Sequence, residues 1–147
     1  MTSNKKPKLP PAKSWAERDI ADWNTLSFTE YLKAEHKRLF GIDYAPMGGR
    51  FVTEQGILGG LIGTQSRTNP KPRTASNADV KRFIDETFAS YTPTTQYPGT
   101  SFGFMWTYRK TDWQRICAAN MAQARRAEAA TAVDIDEVGD WFGGDTE

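Results

Sequence analysis

Apolar positions along this chain recur mostly at helical spacing. Phe28, Tyr31, Leu32 and Leu39 fall on one helical stripe. Ser27-Phe28-Thr29-Glu30 fits a capping box, with Ser27 as N-cap and Glu30 reaching back. Gly41 closes the pattern as a C-cap would. A second apolar segment holds Phe51, Val52, Ile57, Leu58, Leu61 and Ile62, interrupted by Gly56, Gly59, Gly60 and Gly63. Each glycine weakens a helix by up to about 1 kcal/mol relative to alanine, so the glycines are expected where a neighbour packs closely. A phosphate-cradling loop is disfavoured there, because no Gly-x-x-x-x-Gly-Lys-Ser/Thr pattern is present.

Residues 64–78 are rich in Pro, Ser, Thr and Asn and read as a loop. Ser76 or Asn77 then caps a third helix, with Val80, Phe83, Ile84, Thr87, Phe88 and Tyr91 inward and Lys81, Arg82, Asp85 and Glu86 outward. Pro93 stops it, and Tyr97-Pro98-Gly99 makes a turn.

The stretch QYPGTSFGFMWTY at 96–108 carries five aromatic rings and no charge. Alternation at Phe102, Phe104, Trp106 and Tyr108 suits a strand, whereas a helix groups Phe102, Met105, Trp106 and Arg109. The helix is favoured, with most rings packed inward; whether the end from Trp106 to Lys110 emerges from the core as an aromatic-basic edge is left open by the sequence. A break is expected near residues 110–111, since Thr111-Asp112-Trp113-Gln114 fits another capping box. Trp113, Ile116, Cys117 and Asn120 are helix-spaced, and an alanine-rich run follows to Ala132. The expected fold is mainly α, a domain of four to five helices over residues 14–130. A flexible basic arm at 1–13 precedes it, and an acidic tail at 131–147, expected to be disordered, follows it.

Charge changes the picture more than composition does. The formal net charge is +1, yet it is strongly segregated. Lys5, Lys6, Lys8 and Lys13 occupy the arm without an acid. Arg67, Lys71, Arg73, Lys81 and Arg82 cluster at 67–82, and Arg109, Lys110, Arg115, Arg125 and Arg126 at 109–126. Seven acids and no base lie in 127–147. Such asymmetry points to an interaction with polyanions.

Catalytic chemistry is not visible. His36 and Cys117 are the single His and the single Cys, far apart in sequence, and no nucleophile–base set or metal-ligand spacing emerges. His36 reads as a packed or half-exposed helix residue, and Cys117 as a small buried one. No cofactor and no metal are expected. A small nuclease is disfavoured for want of an acidic cluster. No apolar run reaches membrane-spanning length, and the N-terminus has no secretory h-region, so a cytoplasmic protein is expected.

Basic segments around an aromatic block instead suit nucleic acid, single- or double-stranded. Cations follow the backbone, and rings stack under bases at about 1–3 kcal/mol each. The candidate contacts are Lys5, Lys6, Lys8, Arg67, Lys71, Arg73, Trp106, Arg109, Lys110, Trp113 and Arg115. The tail, with Asp140, Trp141 and Phe142, is a candidate docking motif for a protein partner and a competitor for the basic body. The alternative function is an adaptor or inhibitor of a host nucleic-acid machine, acting partly through that tail.

Residues 80–109, VKRFIDETFASYTPTTQYPGTSFGFMWTYR, resemble a segment of small proteins encoded by tailed bacteriophages. In those a helix is followed by a Lys/Thr-Pro-Thr-x-x-Tyr-Pro turn and then Phe-Gly-Phe-Met. Some are linked with phage DNA replication or DNA binding, which the resemblance implies for this chain, in the host cytoplasm. It covers about a fifth of the sequence and assigns no site residue.

Overall fold

The computed structural model describes residues 9–65, 68 and 70–143, the last of these from 133 onward as backbone alone. Five α-helices form among the described residues: α1 Thr25–Phe40, α2 Phe51–Ile62, α3 Asn77–Ser90, α4 Phe102–Tyr108 and α5 Lys110–Gly143. The mainly helical expectation holds. No described helix is long and apolar enough to cross a membrane. The chain divides into two compact units, residues 1–110 and 111–147.

In the first unit α1 packs on α2 and α3, and α4 packs on α2 and α3. Phe28, Leu32, Leu58, Val80, Phe83, Ile84, Phe102 and Met105 form its core, each almost wholly buried. Two short 3-10 turns, Trp15–Glu17 and Ile20–Asp22, precede α1. The second is tied down by Asn77, whose side-chain amide donates to the carbonyls of Ile20 (2.7 Å) and Trp23 (2.8 Å), and the first by Trp23, whose Nε1 donates to the Trp15 carbonyl at 3.0 Å. Trp23 is buried against Phe28, with ring centroids 5.0 Å apart.

Several boundaries follow different residues from those expected. The N-cap of α1 is Asn24, whose Oδ1 accepts from the Ser27 N–H at 3.0 Å. Ser27 lies inside the helix and its Oγ donates to the Ala12 carbonyl at 2.8 Å, fixing the incoming chain. Glu30 pairs with Lys33 at 3.0 Å instead of completing a box. Ser76 caps α3 through its Oγ, which leaves Asn77 for the contacts above. Gly41 does end α1, in the left-handed conformation at φ 73°.

The glycines of α2 divide into two kinds. A Cβ on Gly59 would stand 3.0 Å from Thr64 Cγ2, and Gly63, at φ 83°, lies against the backbone of Lys71 and Arg73. A Cβ on Gly56 or Gly60 would meet nothing within 4 Å. Close packing therefore explains the first pair and not the second. After Gly63 the loop is closed by reciprocal backbone bonds between Thr64 and Lys71, at 3.0 and 3.1 Å.

In the second unit α5 continues as one helix past residue 131 to Gly143. Its described surface carries the Arg115–Asp112 ion pair at 3.2 Å. Cys117 is exposed, not buried as the alanine-rich context suggested.

Candidate functional site

Ser101 starts α4, its Oγ accepting from the Phe104 N–H at 3.2 Å. Seven residues later the helix breaks at Arg109 (φ −121°, ψ 28°) and α5 begins at once. Within α4 two ring pairs at i, i+4 spacing take opposite fates. Phe102 is buried and stacks on half-buried Trp106, centroids 6.5 Å apart and planes 14° apart. Phe104 and Tyr108 point outward, 41% and 64% exposed, with centroids 4.7 Å apart. The expectation that most rings of 97–108 pack inward is thus corrected: Tyr97, Phe104 and Tyr108 are all exposed. One helical face suffices for the core, and Phe102, Met105 and half of Trp106 fill it.

What sets this rotation of α4 is a buried polar clamp. Glu54, on α2, is almost fully buried. Its Oε1 accepts from the Tyr44 hydroxyl at 2.6 Å, and its Oε2 accepts from the N–H groups of Met47 (2.9 Å) and Gly103 (2.8 Å). Tyr44 Oη in turn accepts from the Phe102 N–H at 2.7 Å. Burial, then the nearby Glu54 charge, pushes the Tyr44 phenol well above its ordinary pKa. Two orphan donors of the α4 N-terminus are thereby satisfied by side chains from elsewhere. Gly103 is required: a Cβ there would lie 2.6 Å from Met47 Cβ.

His36 performs the same service one step upstream. Its Nε2 accepts from the Thr100 N–H at 3.3 Å and its Nδ1 donates to the Ile42 carbonyl at 3.1 Å. Both ring nitrogens are used structurally, which matches the packed-helix expectation for this residue. A Cβ on Gly99 would fall 2.3 Å from His36 Nε2, so the backbone lies directly on the imidazole.

The expected contact residues separate into distinct places. Trp106, Arg109 and Lys110 come together at the end of α4. Arg109 Nη2 donates to Ser90 Oγ at 3.0 Å, and Lys110 Nζ stands 5.0 Å from the Trp106 ring centroid. Trp106 is therefore covered by Phe102 and Lys110, while Tyr108 beside it is open. Lys71 and Arg73 lie elsewhere, on a polar groove of about 600 Å³ that Arg18 also lines. There the Arg73 guanidinium donates to Ala75 O (3.1 Å) and Asn77 Oδ1 (2.9 Å), and that of Arg18 to the carbonyls of Pro10 and Asp22, both at 2.8 Å. Trp113, half-buried, and Arg115 belong to α5 in the second unit. Lys5, Lys6, Lys8 and Arg67 lie outside the described residues, as do the side chains of Asp140, Trp141 and Phe142.

Beside Phe104 opens a mostly apolar cavity of about 640 Å³, walled by Ile42, Tyr91, Tyr97 and Pro98. The Tyr91 hydroxyl points at the carbonyls of Tyr97 (2.6 Å) and Gly99 (2.9 Å), which holds the turn in place. Among the described residues no group of three His, Cys, Asp or Glu is placed to hold a metal. No protein-family model matches this chain, and neither a curated protein nor a solved structure matches it.

The sequence does not single out Tyr97 and Phe104 as contact groups, whereas Tyr108 stands, with Trp106 and Trp113, among the rings it places next to Arg109, Lys110 and Arg115. The i, i+4 relation of Phe104 to Tyr108 was present, but so was that of Phe102 to Trp106. Gly103 was the distinguishing signal, since it marks the side where the Met47 side chain and the Glu54 carboxylate approach α4.

Proposed function

We propose that this protein is a non-enzymatic accessory protein that binds single-stranded nucleic acid along the end of α4. The observation that carries this reading is the exposed Phe104–Tyr108 ring pair running directly into Arg109 and Lys110. Rings of this kind stack on bases of any sequence, and adjacent cations meet the phosphates. The clamp at Glu54 and Tyr44 supports the reading, because it holds the rings outward on a rigid element. The segment that resembles small tailed-phage proteins, some of them linked with DNA replication or DNA binding, comprises most of α3, the 91–101 connection and α4, and so includes the proposed edge. Lys5, Lys6, Lys8, Arg67, Lys71 and Arg73 add attraction for the phosphate backbone.

Fluorescence anisotropy with a labelled single-stranded oligonucleotide and its duplex tests it. The expected result is binding at low salt that prefers the single strand and weakens steeply as salt rises. Absence of binding to either at low salt overturns the proposal.

A further inference from the structure

The cavity beside α4 has a composition that the edge alone does not use. Its volume, about 640 Å³, lies in the range of small-ligand sites, and its exposed wall is mostly apolar, with polar side chains such as Asp43, Thr94, Gln96 and Thr100 among the lining residues. Tyr97, 63% exposed, and Phe104, 41% exposed, both line it. Thr100 also lines it, is only 9% exposed, and its Oγ1 is buried without a hydrogen-bond partner. A buried hydroxyl left unpaired is unfavourable by about 1–3 kcal/mol and needs an explanation. Gln96, on the same lining, offers a side-chain amide. Phe104 belongs both to this cavity and to the exposed ring pair, so the cavity is continuous with the proposed strand-binding edge.

We infer that this cavity captures one unstacked base of the bound strand, held between the Tyr97 and Phe104 rings and hydrogen-bonded by Thr100 and Gln96. The inference rests on the single-strand reading above and adds a specific occupant. A base suits the site because it is planar, apolar on its faces and polar along its edge, as the lining is. The neighbouring Arg109 and Lys110 then receive the phosphates of the same segment.

The test combines free nucleosides with two variants. The four deoxynucleosides are titrated into the full chain labelled with ¹⁵N, and backbone amides are followed. Thr100→Val and Tyr97→Ala are measured for binding to the labelled single strand. Thr100→Val removes a hydroxyl that has no partner, so it keeps the fold. The expected result is shifts of the amides of residues 96–104 with at least one nucleoside. Strand affinity should fall roughly two- to tenfold in Thr100→Val, the value of one hydrogen bond. If the strand binds while nucleosides leave these amides unmoved and both variants bind like the parent protein, the cavity inference is overturned and the edge reading stands. If no strand binds at low salt but nucleosides shift these amides, the edge reading fails, and with it the claim that the base belongs to a bound strand; the cavity is then a site for free nucleosides.

Discussion

The Tyr44 hydroxyl donates to Glu54 Oε1 at 2.6 Å, and the same phenol oxygen receives the Phe102 N–H at 2.7 Å. This pair joins the 41–50 connection, α2 and the start of α4 into one unit. Everything proposed for the α4 surface depends on it, since it fixes which rings face out.

Removing the carboxylate should be costly, and removing only its charge should not. Glu54→Ala leaves the Tyr44 hydroxyl and the N–H groups of Met47 and Gly103 buried without an acceptor. A loss of about 1–3 kcal/mol is expected for each buried donor left unpaired. In Glu54→Gln the amide oxygen still accepts from both N–H groups and only the Tyr44 O–H loses its acceptor, so one donor is orphaned in place of three and the loss is smaller. Urea unfolding followed by circular dichroism checks the order; a glutamine variant as unstable as the alanine one contradicts it.

The glycines give a sharper contrast. Gly103→Ala puts a methyl 2.6 Å from Met47 Cβ and should cost about 1–3 kcal/mol through overpacking. Gly60→Ala meets nothing within 4 Å and should stabilise α2 by up to about 1 kcal/mol. Melting temperatures of the two variants should therefore move in opposite directions.

Alkaline pH is the next handle. Burial raises the pKa of Tyr31, reinforced by its hydrogen bond to Asp85, and burial likewise raises that of Tyr44. A folded-state pKa above the unfolded value contributes stability that is intact below about pH 10 and lost as pH climbs past it. Titration followed by phenolate absorbance should show these two tyrosines ionising only as helical circular dichroism disappears. Ionisation of all five tyrosines with the helices intact would contradict this.

At the edge, Tyr108→Ala and the pair Arg109→Ala with Lys110→Ala should differ in kind. Loss of one stacked ring is expected to cost about 1–3 kcal/mol of strand affinity at any salt. Loss of two phosphate contacts should flatten the salt dependence, by about 0.7 in log–log slope per contact on a single strand. Tyr108 is 64% exposed, so its truncation should leave thermal stability nearly unchanged.

Much of the helical framework was legible because amphipathic spacing and turn residues are local signals. Ser76 and Gly41 could be placed on that basis, while the break lies at Arg109, before the expected 110–111, and α5 starts at Lys110 without Thr111 as its cap. Asn24 in place of Ser27 was not, because two overlapping local boxes compete: Asn24 and Ser27 form the one realised, with Ser27 Oγ accepting from the Asn24 N–H at 3.2 Å and donating to the distant Ala12 carbonyl. The site was half legible. Arg109 and Lys110 announce themselves by charge, yet whether Phe102–Trp106 or Phe104–Tyr108 faces solvent depends on Glu54, which lies 49 residues from Gly103. Its role as an acceptor for α4 has no local signature, and an isolated acid on an apolar helix reads as a solvated group.

The most direct measurement is photo-crosslinking of the full chain to a single-stranded oligonucleotide, followed by mass mapping of tryptic peptides. Residues 83–109 contain no Lys or Arg before Arg109, so they leave as one peptide carrying Tyr97, Phe104 and Tyr108. The account predicts the principal adduct on this peptide, at one of those three rings, and its loss at high salt. Adducts confined to other peptides, with this one unmodified, would contradict it.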